Sequence, residues 1–152
     1  MRMRRGREMT ASRLAPAQWL SAAPISLRRL FCAAHAILIA LLSLAPGRAF
    51  EAIPPLFPGA DKLAHCLAYA ALALLLIWAA SPVPGRATPR LLALCVASCF
   101  AYGALLEAAQ GILRPGDRMV SALDMAANAI GSVLAASSWK LNTRGLKGSR
   151  AP

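Results

Sequence analysis

Between two apolar runs the chain places Glu107-x-x-Gln110, then Arg114-Pro115-Gly116-Asp117-Arg118, Ser121-x-x-Asp124 and Asn128-x-x-Gly131. A second polar group, Asp61-Lys62-x-x-His65, opens another apolar run. Carboxylates and a histidine could do general acid–base work, with His65 as the base oriented by Asp61 or Asp124. Cations beside amides could hold a phosphate. Asp61, His65, Glu107 and Asp124 could instead hold a divalent metal, since oxygen and imidazole ligands suit several. No serine or cysteine stands beside His65 as a nucleophile; Cys66 is adjacent in sequence but points about 100° away on a helix.

The spacing places these groups on faces. Asp61, His65 and Tyr69 stand at i, i+4 and i+8; Asp124 and Asn128 at i, i+4; Glu107 and Gln110 at i, i+3. On helices each set is one stripe. Lipid is the costly direction for such groups, so the stripes are expected to face one another. Part of the pattern has a purely structural reading. Asp61 can cap one helix, Ser121-x-x-Asp124 matches a capping box, and Arg114-Pro115-Gly116-Asp117 suits a tight turn. Lys62 opposes the dipole of a helix it begins. Glu107, Gln110 and Asn128 are neither caps nor turn residues, and their bland reading is polar glue between helices.

The positioning elements are apolar runs. Hydrophobic residues make up 58% of the 152 residues, above the ~45–50% of soluble domains, and mean hydropathy is +0.53. The net charge of +11 comes without a basic stripe interleaved with aromatics, which argues against a nucleic-acid surface. The basic residues stand at the termini and between apolar runs, the pattern of a membrane protein. The expected architecture is an all-α integral membrane bundle of four transmembrane helices, at about 25–45, 62–80, 90–113 and 122–139. Residues 1–23 read as a disordered basic tail, 24–139 as the transmembrane domain, and 140–152 as a basic cytoplasmic tail.

The first apolar run is short for a span of ~20 residues unless Arg28 and Arg29 snorkel. Its competing reading is a secretory signal peptide, against which stand the long basic segment before it and Arg48 near the small residues. Ser81-Pro82-Val83-Pro84-Gly85 ends the second helix. His35 is expected to bond a neighbouring helix. Ala127, Gly131 and Ala135 form a small-residue stripe for close packing. Cys32, Cys66, Cys95 and Cys99 read as small buried apolar residues. Thirteen lysines and arginines fall on the side of the termini and the 81–90 loop, four on the other, so both termini are expected in the cytoplasm. Trp78 and Trp139 then fall at the cytoplasmic interface, and the polar groups open to the extracytoplasmic face.

The ordered set Asp61-Lys62-x-x-His65, Glu107-x-x-Gln110, Pro115-x-x-Arg118, Ser121-x-x-Asp124 and Asn128-x-x-Gly131 resembles the VanZ-like family of small bacterial membrane proteins. The resemblance covers residues 61–131. It implies a four-helix protein of the bacterial cytoplasmic membrane, and the family's name-giving member is associated with low-level resistance to the glycopeptide teicoplanin. Asp61, Lys62, His65, Glu107, Gln110, Arg118, Asp124 and Asn128 match the family's polar positions. The Arg-rich N-terminus and C-terminal tail are not part of its pattern.

Three functional classes follow. The first binds an anionic lipid head group or lipid-linked wall precursor, with Lys62, Arg114 and Arg118 on phosphate and Tyr69, Gln110 and Asn128 adding hydrogen bonds. The second is an acid–base or metal-dependent enzyme acting on a lipid phosphate, with His65, Glu107, Asp124 and Asp61 as catalytic candidates. The third is a small transporter or helper subunit, which this length permits only as an oligomer. Membrane lipid or a lipid-linked precursor is the expected partner, no cofactor is required beyond that optional metal, and the oligomeric state is open.

Overall fold

A computed structural model describes residues 23–49, 56–81, 87–113 and 121–148, with side chains omitted at 48 and 142–148. Four helices follow in order: α1 (Ile25–Leu44), α2 (Ala60–Ala80), α3 (Pro89–Leu113) and α4 (Ala122–Gly148), with a single 3-10 turn at Gly47–Ala49. The chain is all-α over these residues. Three helices, α1 to α3, are long and apolar enough to cross a membrane. At 1.5 Å per residue even the shortest reaches ~30 Å, the thickness of a bilayer's hydrocarbon core.

The expectation of four spans is met in length but not in composition by α4. Asp124, Asn128, Ser132, Ser137 and Ser138 dilute its hydropathy. The helix also runs on to Gly148, where a break after residue 139 was expected. No proline interrupts 140–148, and Lys140, Arg144 and Lys147 suit the negative end of a helix dipole.

Local chemistry sets the helix starts. Gly59 precedes α2 with φ +86 and nothing within 4 Å of a Cβ added there, so its backbone conformation, not space, requires glycine. Asp61 is therefore not the cap expected of it; it lies within the first turn, where a carboxylate favours the dipole. Thr88 caps α3, its Oγ1 accepting the Leu91 N–H at 3.2 Å, and Pro89 takes the first helical position, where no N–H is needed.

Helices successive in sequence run antiparallel, so α2 and α4 run parallel. The end of α1, the start of α2, the end of α3 and the start of α4 share one end of the bundle, here called the site end. The closest pairing is α2 with α4. A Cβ on Gly131 would stand 2.0 Å from the Cys66 carbonyl oxygen, so only glycine allows this approach, with Ala127 and Ala135 buried on the same face. The central core joins Ile39, Tyr69, Leu72, Ala73, Cys99, Leu106 and Ala135. A second cluster, Ile77, Leu92, Cys95 and Ala136 with Trp139 against it, fills the opposite end. All four cysteines are free thiols, with Cys95 and Cys99 buried. Leu30, Leu41, Leu67, Leu94, Leu105 and Leu134 point outward, an apolar surface of the kind that marks a membrane interaction.

Polar side chains stitch the helices together. His35 Nε2 meets the Ala68 carbonyl at 3.0 Å, the interhelical bond expected of it. The Tyr102 hydroxyl donates to the Ala36 carbonyl at 2.6 Å. At the opposite end Arg28 donates through one guanidinium nitrogen to the Trp78 and Ser81 carbonyls, both at 3.1 Å. Arg28 is buried. It does not snorkel as expected but caps the C-terminal carbonyls of α2, where a cation is favoured by the dipole.

Candidate functional site

At the site end, the first two turns of α2 and α4 bring five polar side chains together. Lys62 Nζ lies 3.1 Å from Asp124 Oδ1 and also pairs with Asp61. His65 Nδ1 lies 3.1 Å from Asn128 Oδ1, and its Nε2 lies 3.8 Å from Asp124 Oδ2. The i, i+4 pairs His65/Asp61 and Asp124/Asn128 supply these contacts because the Gly131–Cys66 approach, one turn further in, brings the two helices close. Lys62 therefore begins its helix against the dipole but between two carboxylates, which offsets the cost.

The environment is graded. Asn128 is buried. The side chain of Asp124 is 18% exposed, His65 24%, Lys62 37% and Asp61 61%. The cluster thus opens at Asp61 and Lys62 and closes at Asn128. Asp124 Oδ1 is buried without an aligned hydrogen bond, so its attraction to the ammonium is an ion pair set by distance rather than by bond direction. The Lys62 ammonium thus sits between two carboxylates and is more than a third exposed.

Glu107 stands apart from this group. It is buried, 5% exposed, and its Oε2 accepts the backbone N–H of Ser121 at 3.1 Å. Ser121 caps α4 through its own Oγ, which accepts the Asp124 N–H at 3.2 Å. In a capping box the acid at the third helical position would return to the Ser121 N–H. Glu107 fills that position from α3. Asp124 is thereby released to face Lys62 and His65. The expected capping box is half formed, and of the acids expected to converge with His65 it is Asp124, not Glu107, that stands beside it.

Gln110 is likewise engaged. Its Nε2 donates to the Ser43 carbonyl at 2.6 Å, capping the end of α1. As the other candidate ligand-binding residues stand, Tyr69 is buried in the core beside Asn128. A Cβ on Gly103 would meet Asn128 Nδ2 at 2.9 Å and the Tyr69 hydroxyl at 3.1 Å. Gly103, which sequence reasoning passed over, is the space in which those two side chains sit. Its only signal was a glycine in mid-helix. Arg28 was equally missed, because its role appears only when the end of α2 is placed beside it. Arg114, Asp117 and Arg118 lie outside the described residues.

The metal reading required Asp61, His65, Glu107 and Asp124 in one place. Among the described residues no three His, Cys, Asp or Glu side chains gather so as to hold a metal ion. Glu107 is turned to Ser121, and Asp61 lies outward with Lys62. The donor set does not fit a metal.

By helix composition this is a multi-pass membrane protein, all-α, with a polar cluster held between two helices at one end. No family model matches the chain, and no curated protein or solved structure matches it.

Proposed function

We propose that the chain is a four-span protein of the bacterial cytoplasmic membrane, with both termini cytoplasmic. In this reading its site end faces outward and binds the polar head of an anionic lipid or lipid-linked wall precursor. The observation that carries the reading is Lys62: a cation flanked by Asp61 and Asp124 and more than a third exposed. A preorganised ammonium at a membrane surface suits a phosphate. Arg114 and Arg118 follow in the next turn of sequence as further cations.

A fourth span is supported by how α4 distributes its polarity. Asn128 and Ser132 are buried, while Leu123, Ile130, Val133, Leu134 and Leu141 are its exposed large hydrophobic residues. Asn128 and Ser132, two of the side chains that lower its average hydropathy, are thus turned away from lipid. Orientation rests on the excess of lysine and arginine at the opposite end. The resemblance to the VanZ-like family is the ground for placing the protein in a bacterial envelope, and for extending the proposal to a teicoplanin-type response.

Binding is favoured over acid–base catalysis by the histidine. Both ring nitrogens of His65 face side chains of the cluster, Asn128 and Asp124. A general base needs one nitrogen within reach of a substrate proton. Here Nδ1 is held by Asn128 at 3.1 Å, and Nε2 stands 3.8 Å from Asp124, inside the cluster.

The test uses the full chain in phosphatidylcholine vesicles titrated with a polyprenyl phosphate, read by the protein's thermal stability. Stabilisation that is lost in Lys62→Ala is expected. Equal stabilisation of wild type and variant would overturn the site. Release of inorganic phosphate from the titrant would establish the enzyme reading instead.

A further inference from the structure

We infer that the groove between α3 and α4 at the opposite end of the bundle is a binding site for an anionic phospholipid of the adjacent leaflet. The groove encloses about 520 Å³, within the ~300–1,000 Å³ of ligand sites. Pro89 and Lys140 stand at its mouth, Ala97 and Val133 along it, and Phe100 and Ala129 at its far end. Among the described residues, Ser137 and Lys140, close to the mouth, are its only polar lining residues, and the other lining side chains are apolar.

The dimensions select the occupant. From Pro89 to Phe100 a helix rises ~16 Å. One leaflet's share of a ~30 Å hydrocarbon core is ~15 Å. The groove therefore runs from the interface to about the mid-plane and stops there, as one acyl chain does. A helix of a second copy would need a seat through the whole thickness. The walls are small where the chain would lie, with Ala93, Ala97 and Ala129 leaving the space that Phe100 closes.

The charge selects the head group. Lys140 is at the mouth, and Arg90 is exposed one residue beyond Pro89. Cations at this depth attract anionic phospholipids.

This site is distinct from the Lys62 cluster, and the experiment separates them. The full chain is reconstituted in phosphatidylcholine vesicles with either phosphatidylglycerol or phosphatidylcholine spin-labelled near the end of one acyl chain. The motionally restricted fraction is then read by electron paramagnetic resonance. Wild type is expected to prefer phosphatidylglycerol by roughly fivefold, the weight of one cation near an anionic surface. Lys140→Glu should bring the preference close to one. Ala97→Trp, or Val133→Phe if the first variant does not fold, should reduce restriction of both lipids. Lys62→Ala should change neither. Equal restriction of the two lipids by wild type would overturn the proposal, as would a preference that survives Lys140→Glu. A groove filled by a second copy would show as restriction unchanged and a crosslinked dimer lost in Ala97→Trp, and would also overturn it. A preference abolished by Lys62→Ala alone would assign the lipid to the site end and sink this inference while leaving the proposed function standing.

Discussion

The Glu107 carboxylate accepts the Ser121 N–H at 3.1 Å, so an acid on α3 completes the N-terminal cap of α4. Two consequences follow from one bond: the start of α4 is tied to the end of α3, and Asp124 is free to serve the cluster. Glu107→Ala is expected to leave that part-buried N–H without its partner and lower stability by about 1–3 kcal/mol. Glu107→Gln keeps a carbonyl acceptor and should lose less. Thermal unfolding of both variants in detergent measures this. An unchanged midpoint in Glu107→Ala would show that the cap is not supported from α3.

Two glycines separate packing from the site. At Gly131 the added Cβ would meet backbone, the Cys66 carbonyl, at 2.0 Å. Backbone cannot step aside, so Gly131→Ala should force α2 and α4 apart and reduce abundance, by ~1–3 kcal/mol or more of overpacking. At Gly103 the neighbours are the Asn128 amide and the Tyr69 ring and hydroxyl. These can move by tenths of an ångström. Gly103→Ala is expected to retain abundance while shifting Asn128, and with it His65, so that ligand-induced stabilisation falls. Equal losses of abundance in the two variants would remove this distinction.

Arg28 and Arg29 are adjacent yet should behave oppositely. Arg28 is buried against the end of α2 with two carbonyl acceptors, and charged hydrogen bonds of this kind contribute ~1.5–3 kcal/mol. Arg29 is exposed. Arg28→Ala should lower the unfolding midpoint, Arg28→Lys should recover part of it, and Arg29→Ala should leave it unchanged. Matching effects at both positions would mean that only the positive charge of this segment matters.

What the sequence makes legible is what depends on local pattern. Apolar runs between proline-rich breaks announce four helices. The i, i+4 stripes of α2 and α4 announce that His65, Asp124 and Asn128 share faces. The small-residue stripe at Ala127, Gly131 and Ala135 announces close packing, though not that Cys66 is its partner. What escapes is whatever one helix does for another. Glu107 completes a cap whose local sequence already offered Asp124 for that task. Gln110 bonds Ser43 across the bundle, although its spacing from Glu107 suggested a shared ligand. Arg28 looks like a snorkelling flank until the C-terminus of α2 lies against it. The helical continuation to Gly148 is hidden by polarity, because a hydropathy boundary is not a helix boundary.

Orientation is the remaining prediction, and it decides which side of the membrane each site serves. The site end and the opposite end are fixed relative to each other by Gln110–Ser43, Lys62–Asp124 and Arg28–Ser81. Placing one end places the other. By sequence, thirteen of seventeen lysines and arginines belong to the terminal segments and the 81–90 loop, and such an excess is retained in the cytoplasm. A reporter fused after Pro152 should therefore be active only as a cytoplasmic fusion. Phe57 is exposed just before α2 at the site end, so Phe57→Cys should react with a membrane-impermeant maleimide in intact cells. The native thiols lie within helices, Cys95 and Cys99 buried, and wild type supplies the background. Labelling of Phe57→Cys only after permeabilisation would invert the protein. The Lys62 cluster would then face the cytoplasm, where an outward wall precursor does not reach it. The stability effects predicted for Glu107, Gly131 and Arg28 would stand unchanged, because they depend on the helices' mutual contacts and not on which leaflet each end meets.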